Sequence, residues 1–149
     1  MNTVPHRGSL VRGVDDSCSA LRLAVNVLAT SERETFAALE TATALAHELN
    51  ADIAILSFQV VPYPLDLHQP DVPPSFQIAR WVRAARRLGG NVHIQISYCR
   101  EYAEAFAGAL APEAPIVIGR RKRWWPQRES RLIRSLRSCG HDPVIVETR

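Results

Sequence analysis

The densest chemistry in the sequence is Arg120, Arg121, Lys122 and Arg123, four contiguous cations followed at once by Trp124, Trp125 and Pro126. Adjacent like charges repel unless they are solvated or face an anion, so this run is either a solvated loop or a contact surface for phosphate. Arginine forks suit phosphate because two parallel N–H bonds match its oxygens. The tryptophans beside them can stack on the bases of single-stranded nucleic acid, lie at a membrane interface, or fold back over apolar structure as a lid, and the lid is the simpler reading. A second cluster runs Ser97, Tyr98, Cys99, Arg100, Glu101. A cation next to Cys99 can lower its pKa, but no histidine or oxyanion loop accompanies the thiol, and Arg100 with Glu101 reads as an ion pair.

Other reactive side chains form no constellation. His6, His47, His68, His93 and His141 share no spacing that suits a metal, and His93, in an apolar stretch, reads as packed or hydrogen-bonded. Asp15 and Asp16 read as solvated. Cys18, Cys99 and Cys139 are odd in number and lack a CxxC pair, which fits reduced thiols rather than a disulfide framework or a zinc site. No catalytic residue is assigned.

The elements that must position these groups belong to a chain of 149 residues, 46% hydrophobic and 22% charged, which excludes wholesale disorder and predicts one domain. The longest nearly apolar stretch, Ile53 to Val61, is too short to span a membrane. Residues 1–20 hold no apolar block of signal-peptide length, so a cytoplasmic location is expected, with 1–20 as a flexible leader and 21–149 as the domain. The net charge of +3 hides a split: residues 1–119 carry nine arginines against twelve acids, whereas 120–149 carry nine basic residues against three acids.

Leu21 to Leu28 alternates as a first strand. Ser31 and Glu34 have the spacing of a capping box, opening a helix whose inward residues are expected to be Phe36, Leu39, Thr43, Ala46 and Leu49, closed by Asn50. Asp52 to Val61 is a second strand, followed by a Pro-rich loop, 62–74. Ser75 is expected to cap a helix from Phe76 to Leu88, with Ile78, Val82 and Ala85 inward, Arg80, Arg83 and Arg87 outward, and Gly89 and Gly90 as terminators. Val92 to Tyr98, Glu101 to Leu110 and Pro115 to Gly119 read as strand, helix and strand. A helix over 129–138 follows, with Leu132, Ile133 and Leu136 inward and Arg131, Arg134 and Arg137 outward, and a strand over 143–147 ends the pattern. Five strands alternating with helices, several apolar on both faces, predict an open parallel α/β sheet with helices on both faces. In such sheets ligands bind beyond the carboxyl ends of the strands, which places the basic run, read as a loop after the fourth strand, at the ligand edge.

Over residues 22–148 the sequence resembles the universal stress protein family, most clearly at the fourth strand and in the segment LRSCGHDPVIV, Leu136 to Val146. Ser31, Glu32 and the Ala-rich helix after them are similar to that family's opening, in which the first strand ends in Asp-Gly-Ser-Glu. The resemblance implies a five-stranded parallel sheet of order 3-2-1-4-5, a homodimer formed through the last strand, and in one branch an ATP held by a loop spaced Gly, two residues, Gly, nine residues, Gly, Ser or Thr. Gly119 matches the first glycine. Lys122 stands where the second belongs, Ser130 and Arg131 stand near the final pair, the spacing is two residues short, and Ala29 replaces the acid ending the first strand. Glycines are needed there because a backbone N–H reaches phosphate closely only where no side chain intervenes.

The expected function is therefore that of a non-catalytic, stress-response or regulatory protein. It would act by binding an unidentified protein partner and by dimerising through Val144, Ile145 and Val146, without the family's usual ATP binding. One alternative is a sensor of ATP, another nucleotide or a phosphorylated ligand, built from Thr30, Ser31, Gly119, Arg120, Arg121, Ser130 and Arg131. A second alternative is attachment to nucleic acid or an anionic membrane surface through Arg120 to Trp125, which would weaken steeply with salt.

Overall fold

Strands β1 (Ala24–Leu28), β2 (Asp52–Val60), β3 (Val92–Cys99), β4 (Ile116–Arg121) and β5 (Val144–Thr148) alternate with helices α1 (Glu32–Leu49), α2 (Pro74–Leu88), α3 (Tyr102–Ala109) and α4 (Arg128–Ser138). The structure is a computed structural model that describes residues 23–61, 63, 74–88, 91–122 and 128–149. The leader 1–20, Leu21, the Pro-rich loop apart from Tyr63 and Pro74, Gly89, Gly90, Arg123, Trp124 and Trp125 lie outside the described residues.

The strands form one sheet of order β3-β2-β1-β4-β5 in which every pair is parallel. Alternation along the strands divides their apolar side chains between two cores. Val25, Val27, Ile53, Ile55 and Val117 face α1 and Trp81 of α2. Leu28, Leu56, Phe58, Ile116 and Ile118 face Phe106 of α3 and Leu132, Ile133 and Leu136 of α4. Burial on both faces is why the central strands read as continuous apolar runs.

Several local expectations are corrected. The buried face of α1 is Glu34, Thr35, Ala38, Leu39, Ala42 and Ala46, while Leu49 is exposed. The larger apolar residues suggested one face, but small ones allow the helix to lie close to the sheet. Ser75 lies inside α2, which begins at Pro74, where a missing N–H costs nothing. Trp81 is buried and anchors α2, a role the inward trio Ile78, Val82 and Ala85 did not include. The end of α1 behaves as expected, Asn50 adopting φ 49° and ψ 48°, and after α4 Gly140 adopts φ 85°.

Candidate functional site

The order of the sheet reverses between β1 and β4, and their carboxyl ends bound the crevice where ligands of such folds bind. Thr30 crosses it. Its Oγ1 donates to the Gly119 carbonyl at 3.3 Å, and its backbone N–H donates to Thr35 Oγ1 at 2.9 Å. Ser31 is the N-cap of α1, yet its exposed side chain makes no capping bond. The capping box is not formed because Glu34 turns inward instead. Only 4% exposed, it accepts a 3.0 Å hydrogen bond from Thr148 Oγ1 at the end of β5.

The same turn of α1 explains Gly119. A Cβ on that residue would lie 2.0 Å from the Glu34 carbonyl oxygen and 2.5 Å from its carbon. Backbone therefore rests on backbone, and the helix can come down on β4 only over a glycine. The glycine singled out as a phosphate neighbour is thus also a packing contact between β4 and α1.

Arg120 and Arg121 were expected in a loop and belong to β4. They pair in register with Glu147 and Thr148, and the Lys122 N–H continues the ladder to the Thr148 carbonyl at 2.9 Å. The run reads as a loop because a strand of consecutive cations is unusual, and only the register to β5 supplies the compensating acid. Arg120 forms an ion pair with Glu147 across the two strands. The hydrogen bond from Arg120 holds the Glu147 carboxyl below the usual glutamate range, with the charges of Arg120 and then Lys122 acting in the same direction. Arg121 and Lys122 are exposed.

Thr30 and Gly119 are therefore brought into contact, with Ser31 next to them. Ser130 and Arg131 lie in the first turns of α4, the first partly buried and the second exposed, with no hydrogen bond to Thr30, Ser31 or Gly119 among the described residues. Glu34, Thr35, Glu147 and Thr148 complete the cluster and were not singled out as site residues. Their signal is conditional: an acid and a hydroxyl at the end of the last strand gain meaning only once β5 is placed beside β4. Val144, Ile145 and Val146 lie on β5, an edge of the sheet, with Val144 49% exposed.

The second cluster takes a different form. Burial first, and the charge of Glu104 second, push the Cys99 thiol up to about 11, opposite to the lowering that Arg100 suggested. Arg100 donates to the Val61 carbonyl at 2.7 Å and lies 4.1 Å from the ring centroid of Tyr63. His93 Nε2 approaches Asp52 Oδ2 at 3.7 Å, and no group of three or more metal-ligating side chains occurs among the described residues. A cleft of about 300 Å³ bounded by His47, Asn50, Ala51 and Asn91 lies at the amino ends of β2 and β3, the other edge from Thr30 and Gly119. No helix of the described residues is long and apolar enough to cross a membrane.

No family model matches the sequence, and no curated protein matches it. Solved structures do. A universal stress protein from Archaeoglobus fulgidus superposes with a TM-score of 0.56 at 11% identity, covering 83% of this chain and 92% of that one. A universal stress protein in complex with cAMP gives 0.53 at 16% identity, covering 86% and 98%. A protein of the universal stress protein family from Burkholderia pseudomallei gives 0.50 at 19% identity, covering 85% and 97%. The fold is that of the universal stress proteins.

Proposed function

We propose that this chain, built on the universal stress protein fold, is a non-catalytic regulatory protein of the cytoplasm that acts by binding and dimerisation and not by holding ATP. The observation that carries the reading is the contact between the chain's own residues at the crevice between β1 and β4. Thr30 bridges it to the Gly119 carbonyl, the backbone of Glu34 covers Gly119, and the carboxylate of Glu34 is buried beside them. A phosphate chain needs backbone N–H donors in open loop conformation, whereas the described residues here present a covered glycine, Arg120 and Arg121 in a strand, and a buried glutamate. Arg120, the cation nearest Gly119 in sequence, already has Glu147. These residues do not fit a nucleoside triphosphate.

Dimerisation is supported by β5, which among the described residues is an edge strand with β4 as its one neighbour and whose edge and half-exposed Val144 suit pairing with a second copy. Sedimentation velocity tests this part. A dimer is expected at micromolar concentration, shifted toward monomer by Val144→Lys; a wild-type chain that stays monomeric at tens of micromolar would overturn it. The alternative of a phosphorylated-ligand sensor draws its support from Arg121 and Arg131, both exposed and without a described carboxylate partner. Calorimetry with AMP and pyrophosphate, on wild type and on Arg121→Ala, is expected to give no heat of binding; heat lost in the variant would favour the sensor.

A further inference from the structure

We infer that the outward face of α4 is a docking surface for a nucleic-acid phosphate backbone, engaged through Arg131, Arg134 and Arg137. All three are exposed, whereas Leu132, Ile133 and Leu136 between them are buried in the core. Residues three apart on a helix advance about 4.5 Å along its axis and stay on adjoining faces, so the guanidinium groups form a row along α4. Ser130 and Ser135 of the same helix are partly buried, and exposed Ser138 donates its hydroxyl to the Arg134 carbonyl at 2.9 Å.

The row differs from the other arginines of the protein. Arg80 pairs with Glu32 at 3.0 Å, Arg120 pairs with Glu147, and Arg100 is held by the Val61 carbonyl and Tyr63. No described acidic side chain pairs with Arg131, Arg134 or Arg137. Glu129, the one acid of α4, is partly buried, and Glu104 of α3 acts on Cys99 of β3, the strand at the far edge of the sheet from β5. Like charges three residues apart destabilise a helix; the helix dipole favours Arg137 in the last turn, but no described side chain offsets the cost for the row. An external anion would.

The chemistry of the face selects among anions. Insertion of a helix into a membrane interface requires an apolar side, and that of α4 is committed to the core, so a membrane could hold it by charge alone. Protein interfaces centre on apolar and aromatic contacts, of which the outward residues of α4 offer none. A phosphate backbone asks only for a row of cations, and arginine provides bidentate bonds to it. Antiparallel to β4, α4 begins at the edge where Arg121 and Lys122 are exposed, which extends the basic surface beyond its first turn. The inference requires neither dimerisation nor an empty crevice.

Fluorescence anisotropy of the whole chain with a labelled duplex of arbitrary sequence tests it. Three phosphates neutralised give a slope of about −2.7 in log affinity against log salt, a loss of about 40-fold between 50 and 200 mM. Binding in the micromolar range at low salt with at least this slope is expected. The combined variant Arg131→Ala, Arg134→Ala, Arg137→Ala should weaken binding at least tenfold and flatten the slope by about 2.7, with its thermal unfolding midpoint recorded to show that it folds. Arg131→Lys, Arg134→Lys, Arg137→Lys should retain most of the binding. The opposite face serves as control: Arg83→Ala, Arg86→Ala, Arg87→Ala on α2 should leave affinity within about threefold, the offset expected from net charge alone. No binding at low salt, an equal loss in the α2 variant, or stronger association with vesicles containing phosphatidylserine or with polyglutamate than with the duplex would overturn the assignment.

Discussion

Gly119 has room for a hydrogen and nothing larger on the side that faces α1, because the Glu34 carbonyl stands where a Cβ would go. Gly119→Ala must push α1 away from β4 or bend the strand, and overpacking of this kind costs about 1–3 kcal/mol. Urea unfolding should show that loss, and an unchanged midpoint would contradict the packing role. The Glu147 carboxyl is a second point where the structure can be checked at one residue. Its pKa is lowered by Arg120, so its contribution to stability is present above the ordinary glutamate range and is lost as pH falls through the lowered folded value. In Arg120→Ala the NMR titration of Glu147 should move upward toward an ordinary glutamate; a midpoint that stays put would remove the ion pair. Cys99, buried and pushed up to about 11, should resist iodoacetamide at pH 8 in the folded protein while exposed Cys139 reacts, with peptide mass spectrometry as the readout. Labelling of Cys99 at a comparable rate would show the site to be open.

At the level of elements, α1 is tied at its first turn to three places in the sheet: to the segment just after β1 through Thr30 and Thr35, to β4 through Gly119, and to β5 through Thr148. Thr148→Val removes the hydrogen bond to a buried carboxylate oxygen and should destabilise the fold by about 1–3 kcal/mol, whereas Glu34→Gln, which keeps an acceptor at that place, should cost less. Equal unfolding midpoints for wild type and Thr148→Val would count against the tie. This junction was only half legible. Ser31 and Glu34 announced a helix start correctly by spacing, but the capping box they suggested gave way to a tertiary partner 114 residues away. Likewise the apolar pattern located β4 and stopped it at Gly119, because cations mark loops in most sequences; the ladder to β5 runs on through Arg121. The apolar runs on both faces made the parallel sheet readable, whereas which face of α1 is buried depended on how closely a helix of alanines can approach.

For the whole molecule, the uneven charge of the sequence acquires a location. Of the nine basic residues after position 119, Arg120 is neutralised within the sheet, and Arg131, Arg134 and Arg137 line the outside of α4. Pairing of two β5 edges would bring two such helices to one side of a continuous sheet, so a dimer would carry a doubled basic face and its formation should strengthen with added salt, which screens repulsion between the copies. Sedimentation at low and at physiological ionic strength measures this, and a dimer favoured by low salt would argue for a different interface. At the crevice between β1 and β4 Thr30 bonds the Gly119 carbonyl and the Glu34 backbone covers Gly119, and on the reading proposed above no ATP is held there. Isothermal titration of the purified protein with ATP tests it most directly: no heat beyond dilution is expected up to millimolar nucleotide, and saturable binding with micromolar affinity would contradict it.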